Sequence, residues 1–221
     1  MEQTDASNNN RLVLLLIAGI PVTMILAASW LWYFVVEGDL DLVGMIGTAN
    51  QGTLVQPPRQ LDDAALVDSA GLPITWGDSE QEPRWILVVP SPGPTCDEAC
   101  ERRLYLTRQI HIAMGKEFNR IGRAYVSDTA VEETALAVDA LSDGGAMPAD
   151  LDELLARDHR GLRVLGVGSD DFSTLFPELT QNPETWYLVD PAGWLMMSYD
   201  DSDDYRDVIS DLKFLLKNSS S

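Results

Sequence analysis

Cys96 and Cys100 are the only two cysteines of the chain, set four positions apart in the run Thr95-Cys96-Asp97-Glu98-Ala99-Cys100. Paired thiols can close a disulfide, exchange with a thiol on another protein, or grip one soft metal ion such as Cu(I). Thr95 followed by Glu98 matches a capping box, which predicts Thr95 as the N-cap, Cys96 as the first helical residue and Cys100 one turn later. Residues so spaced on a helix have β-carbons about 5–6 Å apart, whereas a disulfide wants about 3.5–4.5 Å. A disulfide therefore requires Cys96 to leave helical geometry, while two thiolates on one metal ion need less adjustment. A helix N-terminus favours thiolates, Asp97, Glu98 and Glu101 oppose them, and Arg102 and Arg103 offset part of that opposition. Cys96 and Cys100 are the candidate catalytic residues and the candidate metal ligands. A plain structural disulfide, or two buried thiols, is the competing reading.

Other metal-ligating side chains fall out of reach. His111 follows Cys100 on nearly the same helix face, but about 16 Å along the axis. His159 ends a predicted helix and is expected in a loop at the pole where parallel strands begin, opposite the cysteines. Met114, Met196 and Met197 sit within apolar runs and read as core.

The elements that must position the pair are legible around it. Residues 85–89 (WILVV) form a short apolar run, the pattern of a strand buried on both faces, and end at the breaker run Pro90-Ser91-Pro92-Gly93-Pro94. From Cys96 to about Phe118 apolar residues recur at helical spacing, with Gly115 or Gly122 as the exit. Residues 123–127 and 162–167 are further strand candidates, with a helix over 150–158 between them. Residues 186–189 and 194–198 form a hairpin around Asp190-Pro191-Ala192-Gly193, and an amphipathic helix over about 203–216 closes the chain. Before all these, residues 61–76 read as a hairpin turning at Ser69-Ala70-Gly71. The order βαβαβ then ββα predicts an α/β, thioredoxin-like domain with right-handed crossovers.

Composition bounds the rest. With 221 residues and 45% hydrophobic content, one packed core is expected. Acidic residues number 35 against 15 basic ones, a net charge of -20, which repels phosphate backbones and argues against nucleic acid as a partner. Residues 12–36 carry no charge and exceed the roughly 20 residues of a membrane span. Trp30, Trp32 and Tyr33 gather at its far end, and Arg11 against Glu37, Asp39 and Asp41 puts the N-terminus in the cytoplasm. The expected organisation is a cytoplasmic tail (1–11), a transmembrane helix (12–36), a linker (37–60) and a thioredoxin-like domain (61–217) in an oxidising compartment.

The strand WILVV, the motif CDEAC opening a helix and the later YLVDPAG hairpin resemble the Sco/SenC proteins of cytochrome c oxidase assembly. DSAGLPITW resembles that family's early hairpin. NQGTLVQPP and RRLYLTRQIHIAMGKEFNRIGRAYV resemble a proteobacterial membrane-bound offshoot described as cytochrome-oxidase-associated. The resemblance implies a thioredoxin-like fold, Cys96 and Cys100 as thiol ligands, copper as cofactor, and a cytochrome c oxidase subunit or assembly factor as partner. It also implies a bacterial inner-membrane protein, anchored by its own helix, with a periplasmic C-terminal domain. The family's third ligand is a histidine; counting back from Tyr187, Asn182 holds its place. In thioredoxin-like folds the loop before the hairpin faces the cysteines, so residues 182–185 are expected to line their cleft, with a cis bond before Pro183. The expected function is accessory to oxidase assembly, by thiol–disulfide exchange in which the more exposed Cys96 attacks and Cys100 resolves, or by transient copper handling. The alternative is a docking module of a respiratory complex whose cysteines are structural.

Overall fold

The computed structural model describes residues 3–36, 50–76 and 84–218. The chain divides into two compact units, Met1–Ala49 and Asn50–Ser221. The first contains helix α1 (Gln3–Val36), which has Pro21 inside it. Among the described residues no helix is long and apolar enough to cross a membrane. This corrects the transmembrane helix expected at 12–36. The membrane anchoring and the single-pass inner-membrane, periplasmic placement that rested on it are corrected with it. Glu37, Asp39, Asp41 and the first part of the expected linker, 37–49, lie outside the described residues.

The second unit is an α/β sandwich. Its elements are β1 (Thr53–Gln60), β2 (Val67–Asp68), β3 (Trp85–Ser91), β4 (Thr95–Cys96), α2 (Glu98–Ala113), β5 (Ile121–Ser127), β6 (Ala135–Leu136), α3 (Leu151–Asp158), β7 (Leu162–Gly166), α4 (Ser169–Leu175), β8 (Trp186–Val189), β9 (Trp194–Tyr199) and α5 (Tyr205–Asn218). Seven strands form one sheet in the order β1-β9-β8-β3-β5-β7-β2, and β4 pairs with β6 apart from it. Strands β3, β5 and β7 are parallel, while β8, β9, β1 and β2 run antiparallel to their neighbours. This is the α/β thioredoxin-like arrangement that the sequence predicts. Residues 50–60, within the expected linker, belong to this unit, which starts at Asn50, and β1 is a strand of its sheet.

Every residue of β3 is buried, because helices cover both faces of the sheet. Ile86 and Val88 pack on one side with Leu61, Trp76, Phe172 and Phe176. Trp85 and Leu87 pack on the other with Ile110, Leu212 and Leu216 from α2 and α5. Met114 and Met197 are buried here and Met196 packs against the cluster, so these methionines are core. The β8–β9 turn is fixed by Asp190, whose Oδ1 accepts from Ala192 and Trp194 amides at 2.9 Å. Gly193 takes φ 90° in that turn, a value open to glycine at no steric cost. The early hairpin turns at Gly71 as predicted, though its first arm opens with a 3-10 turn over Leu61–Asp63.

The edge strand β1 is tied in by a buried carboxylate. Asp211 on α5, 3% exposed, accepts from the Gln51 amide at 3.0 Å, the Gly52 amide at 3.1 Å and the Tyr199 hydroxyl at 3.1 Å. Asp211→Ala leaves these donors without their acceptor, and we expect it to lower stability by roughly 2–4 kcal/mol in urea denaturation of the full chain. A loss under about 0.5 kcal/mol would show that water replaces the carboxylate.

Candidate functional site

Strand β3 delivers the chain to the cysteines at the end of the parallel sheet. Ser91 ends the strand, and Gly93, at φ 69°, turns the backbone between two prolines. The Gly93 amide donates to Asp128 Oδ1 at 2.7 Å. Thr95 and Cys96 are then extended, paired in parallel with Ala135 and Leu136. The carbonyls of Pro94 and Cys96 accept from the amides of Ala135 at 2.8 Å and Ala137 at 2.9 Å.

This pairing corrects the predicted cap. Thr95 is held in a β-ladder, and the N-cap is Asp97, whose Oδ1 accepts from the Cys100 amide at 3.0 Å. Helix α2 thus starts at Glu98, with Cys96 outside it and Cys100 in its first turn. Cys96 has left helical geometry, as a bond requires, and Cys96 and Cys100 form a disulfide with their Cα atoms 5.1 Å apart.

Both sulfurs are buried: Cys96 is 0% and Cys100 1% exposed, so neither is the more exposed partner that the sequence reading assigned to Cys96. They sit in a cluster with Val89, Leu104, Tyr125, Val131, Leu141 and Leu151. Much of the cover comes from the long β5–α3 connection, residues 128–150. That connection is pinned on the cysteine helix by a buried acid. Glu101, 4% exposed, accepts from the Ser142 amide at 3.1 Å and from its hydroxyl. Nearby, Arg108 pairs with Asp143 at 2.8 Å, and this hydrogen bond holds the Asp143 carboxyl below the usual carboxylate range.

Beneath the disulfide, Ser91 Oγ donates to Cys100 Sγ at 3.6 Å. Arg103, 3% exposed, spends its guanidinium on carbonyls: Nη1 donates to Pro90 at 2.7 Å and Thr185 at 3.0 Å, and Nε to Ala99 at 3.1 Å. Burial pushes Arg103 down to about 10, which leaves it charged at neutral pH. Through Arg103–Thr185 and an Arg102–Glu184 ion pair, the loop 182–185 packs on the cysteine helix. Its described bonds to that helix run to the two arginines and not to the sulfurs. The cis bond among the described residues precedes Pro57, not Pro183.

The other candidate ligands are occupied elsewhere. Asn182 donates to Asp200 Oδ2 at 3.0 Å and accepts from the Glu184 amide at 2.9 Å, so its amide shapes the loop. His111 lies in the last turn of α2, stacked 3.9 Å from Phe118 and donating from Nε2 to the Phe118 carbonyl at 2.9 Å. His159 lies just outside α3 as its C-cap, in the loop that the sequence predicts, but it is buried there, 3% exposed. Its Nδ1 lies 3.2 Å from Arg123 Nη1; a guanidinium can only donate, so Nδ1 accepts. Among the described residues no group of three His, Cys, Asp or Glu side chains could hold a metal ion. Reduced, the pair supplies two soft sulfur donors of the kind Cu(I) takes, and among the described residues no third ligand stands beside them. Ser91, Glu101 and Tyr125 were missed by the sequence reading. Glu101 carried a signal, being an acid on the buried stripe that includes Cys100 and Leu104.

A cysteine pair at the end of the first parallel strand, opening a helix, defines a thioredoxin-fold protein with a disulfide centre. The family of transmembrane-like, thioredoxin-like C-terminal domains matches residues 85–161 and 140–219, and the chain belongs to it. Yeast Sco1 with copper bound is similar in fold at 13% identity, with a TM-score of 0.50 over 79% of this chain and 97% of that one. Yeast Sco1 in a second crystal structure gives 13% identity and 0.50 again, over 79% of this chain and 99% of the other. No curated protein sequence matches the chain.

Two measurable consequences follow from this geometry. Glu101→Ala releases the residues over the disulfide, so dithiothreitol should reduce it about tenfold faster under native conditions, as expected for a lost charged hydrogen bond of about 1.4 kcal/mol; an unchanged rate would show that the 128–150 connection does not limit access. His159 is the pH-sensitive part. Burial first, then the positive charges of Arg123 and Arg108, push it down to about 4. Below the unfolded value of about 6.5 the unfolded chain takes up a proton that the folded chain refuses. Stability should therefore fall from about pH 6.5 to about pH 4, by on the order of 3 kcal/mol. Thermal unfolding across that window should flatten in His159→Gln.

Proposed function

We propose that this protein is an accessory factor of cytochrome c oxidase assembly that works by thiol–disulfide exchange at Cys96 and Cys100. The observation that carries the reading is the position of the disulfide: one sulfur on an extended segment outside the helix, the other in the first turn of α2, at the end of a thioredoxin-like sheet. Support for the oxidase pathway comes from the likeness to Sco proteins and from the order of the sequence motifs around CDEAC. Cys96 exchanges with the partner's cysteine and Cys100 resolves the mixed disulfide, since Cys100 is anchored through its amide to Asp97. Both sulfurs are buried, so exchange requires residues 128–150 to move aside. The partner is an oxidase subunit or another assembly factor, and an acidic surface suits one with a basic face.

Transient copper handling is the second use of the same pair. Two thiolates bind Cu(I), and with no third ligand beside them among the described residues they favour transfer over retention. A docking module with a structural disulfide is the competing reading, and complete burial of both sulfurs is the observation in its favour.

A Cys96→Ser, Cys100→Ser double variant separates these readings. Exchange or copper handling predicts loss of most assembled oxidase activity in cells at equal protein level. Normal oxidase activity would assign the cysteines to structure alone.

A further inference from the structure

Strands β3 and β5 are parallel and in register, Val89 beside Tyr125 and Ser91 beside Ser127. Alternation puts these four side chains on one face of the sheet, and Val89 and Tyr125 belong to the cluster that holds both cysteines. Three hydroxyls therefore gather under the disulfide in a region closed to water. Two have acceptors: Ser91 Oγ donates to Cys100 Sγ at 3.6 Å and Ser127 Oγ to the Thr129 carbonyl at 2.6 Å. The third, on Tyr125, has no partner at good hydrogen-bond geometry among the described residues, although the residue is 0% exposed. Ser91, Ser127 and Arg103 nonetheless stand near enough to counter part of the rise in its pKa that burial imposes. A phenol left without a partner in a core is disfavoured, so its neighbourhood is better satisfied in another state of the site.

We propose that Ser91 and Tyr125 are positioning residues of the redox centre, a two-hydroxyl relay that is incomplete against the disulfide and completed against reduced Cys100. Resting on the exchange reading above, and run in the reverse direction, in which the partner reduces this chain, the step is as follows. A thiolate of a dithiol partner attacks Cys96 Sγ, the Cys96–Cys100 bond breaks, and its electron pair leaves on Cys100 Sγ. The partner's second thiol then displaces Cys96, so that two electrons and two protons have passed, the partner holds the disulfide and this chain holds two thiols. A disulfide sulfur is a poor acceptor, and the sulfur released by the step is a better one. Ser91 then donates more strongly to Cys100, which makes its own oxygen a better acceptor for the Tyr125 hydroxyl. The relay ends with every hydroxyl satisfied, so it favours the dithiol and makes the pair a better oxidant.

The test is equilibration of the full chain with graded ratios of reduced to oxidised dithiothreitol at one pH, read by alkylation of free thiols. Ser91→Ala should shift the equilibrium toward the disulfide by about tenfold, equal to about 30 mV for a two-electron couple. Tyr125→Phe should shift it in the same direction by about threefold. Tyrosine acts through serine, so the double variant should match Ser91→Ala alone, and Ser91→Thr should keep the parent value. A Tyr125→Phe equilibrium equal to the parent, or additive effects in the double variant, overturns the relay while leaving exchange intact. A parent disulfide that stays closed at every ratio overturns the exchange reading, and the relay with it.

Discussion

The pairing of Thr95 and Cys96 with Ala135 and Leu136 is the interaction on which the centre depends. It holds Cys96 extended, moves the helix start to Glu98, and leaves the Asp97 side chain to cap the Cys100 amide. Had the helix started at Thr95, the β-carbons would stand at helical spacing and no bond could close without distortion. The same ladder brings the β5–α3 connection over the sulfurs. One pair of short strands thus makes the disulfide and covers it.

That pairing also explains what the sequence could and could not convey. Strands β3 and β5 are readable because burial forces apolar residues onto both faces, the half-buried β7 from Leu162, Val164 and Leu165, and the β8–β9 hairpin because Asp190 and Gly193 announce its turn. Helix α3 is readable from Asp150, which caps it by accepting from the Glu153 amide at 2.8 Å. By contrast β4 and β6 are each two residues long, too short for any periodicity, and their contact joins segments far apart in the chain. Thr95 and Asp97 are both good caps, and long-range pairing decides between them. Helix α4 escaped because SDDFSTL offers two buried anchors, Phe172 and Leu175, within one turn.

Local pattern placed the cysteines in the right strand–loop–helix setting but said nothing of their burial. Exposure depends on the connection 128–150, whose anchors are scattered: Asp128 to the Gly93 amide, Ser142 to Glu101, Asp143 to Arg108. None of these pairs lies within a helical or strand repeat. The surroundings of His159, which the sequence places away from the cysteines, were illegible for a related reason: Arg123 and burial hold it as a neutral acceptor inside the core.

The polar groups near the sulfurs share a property that bears on chemistry. Arg103 and Asp97 are committed to backbone partners, and Glu101 to Ser142. A charge already engaged in fixed bonds contributes its field without reorganising, so these groups hold the frame rigid while the sulfurs change state. Ser91 and Tyr125 differ, one making a long bond to sulfur and the other making none. Within this cluster, the freedom to respond to reduction is therefore concentrated on the two hydroxyls.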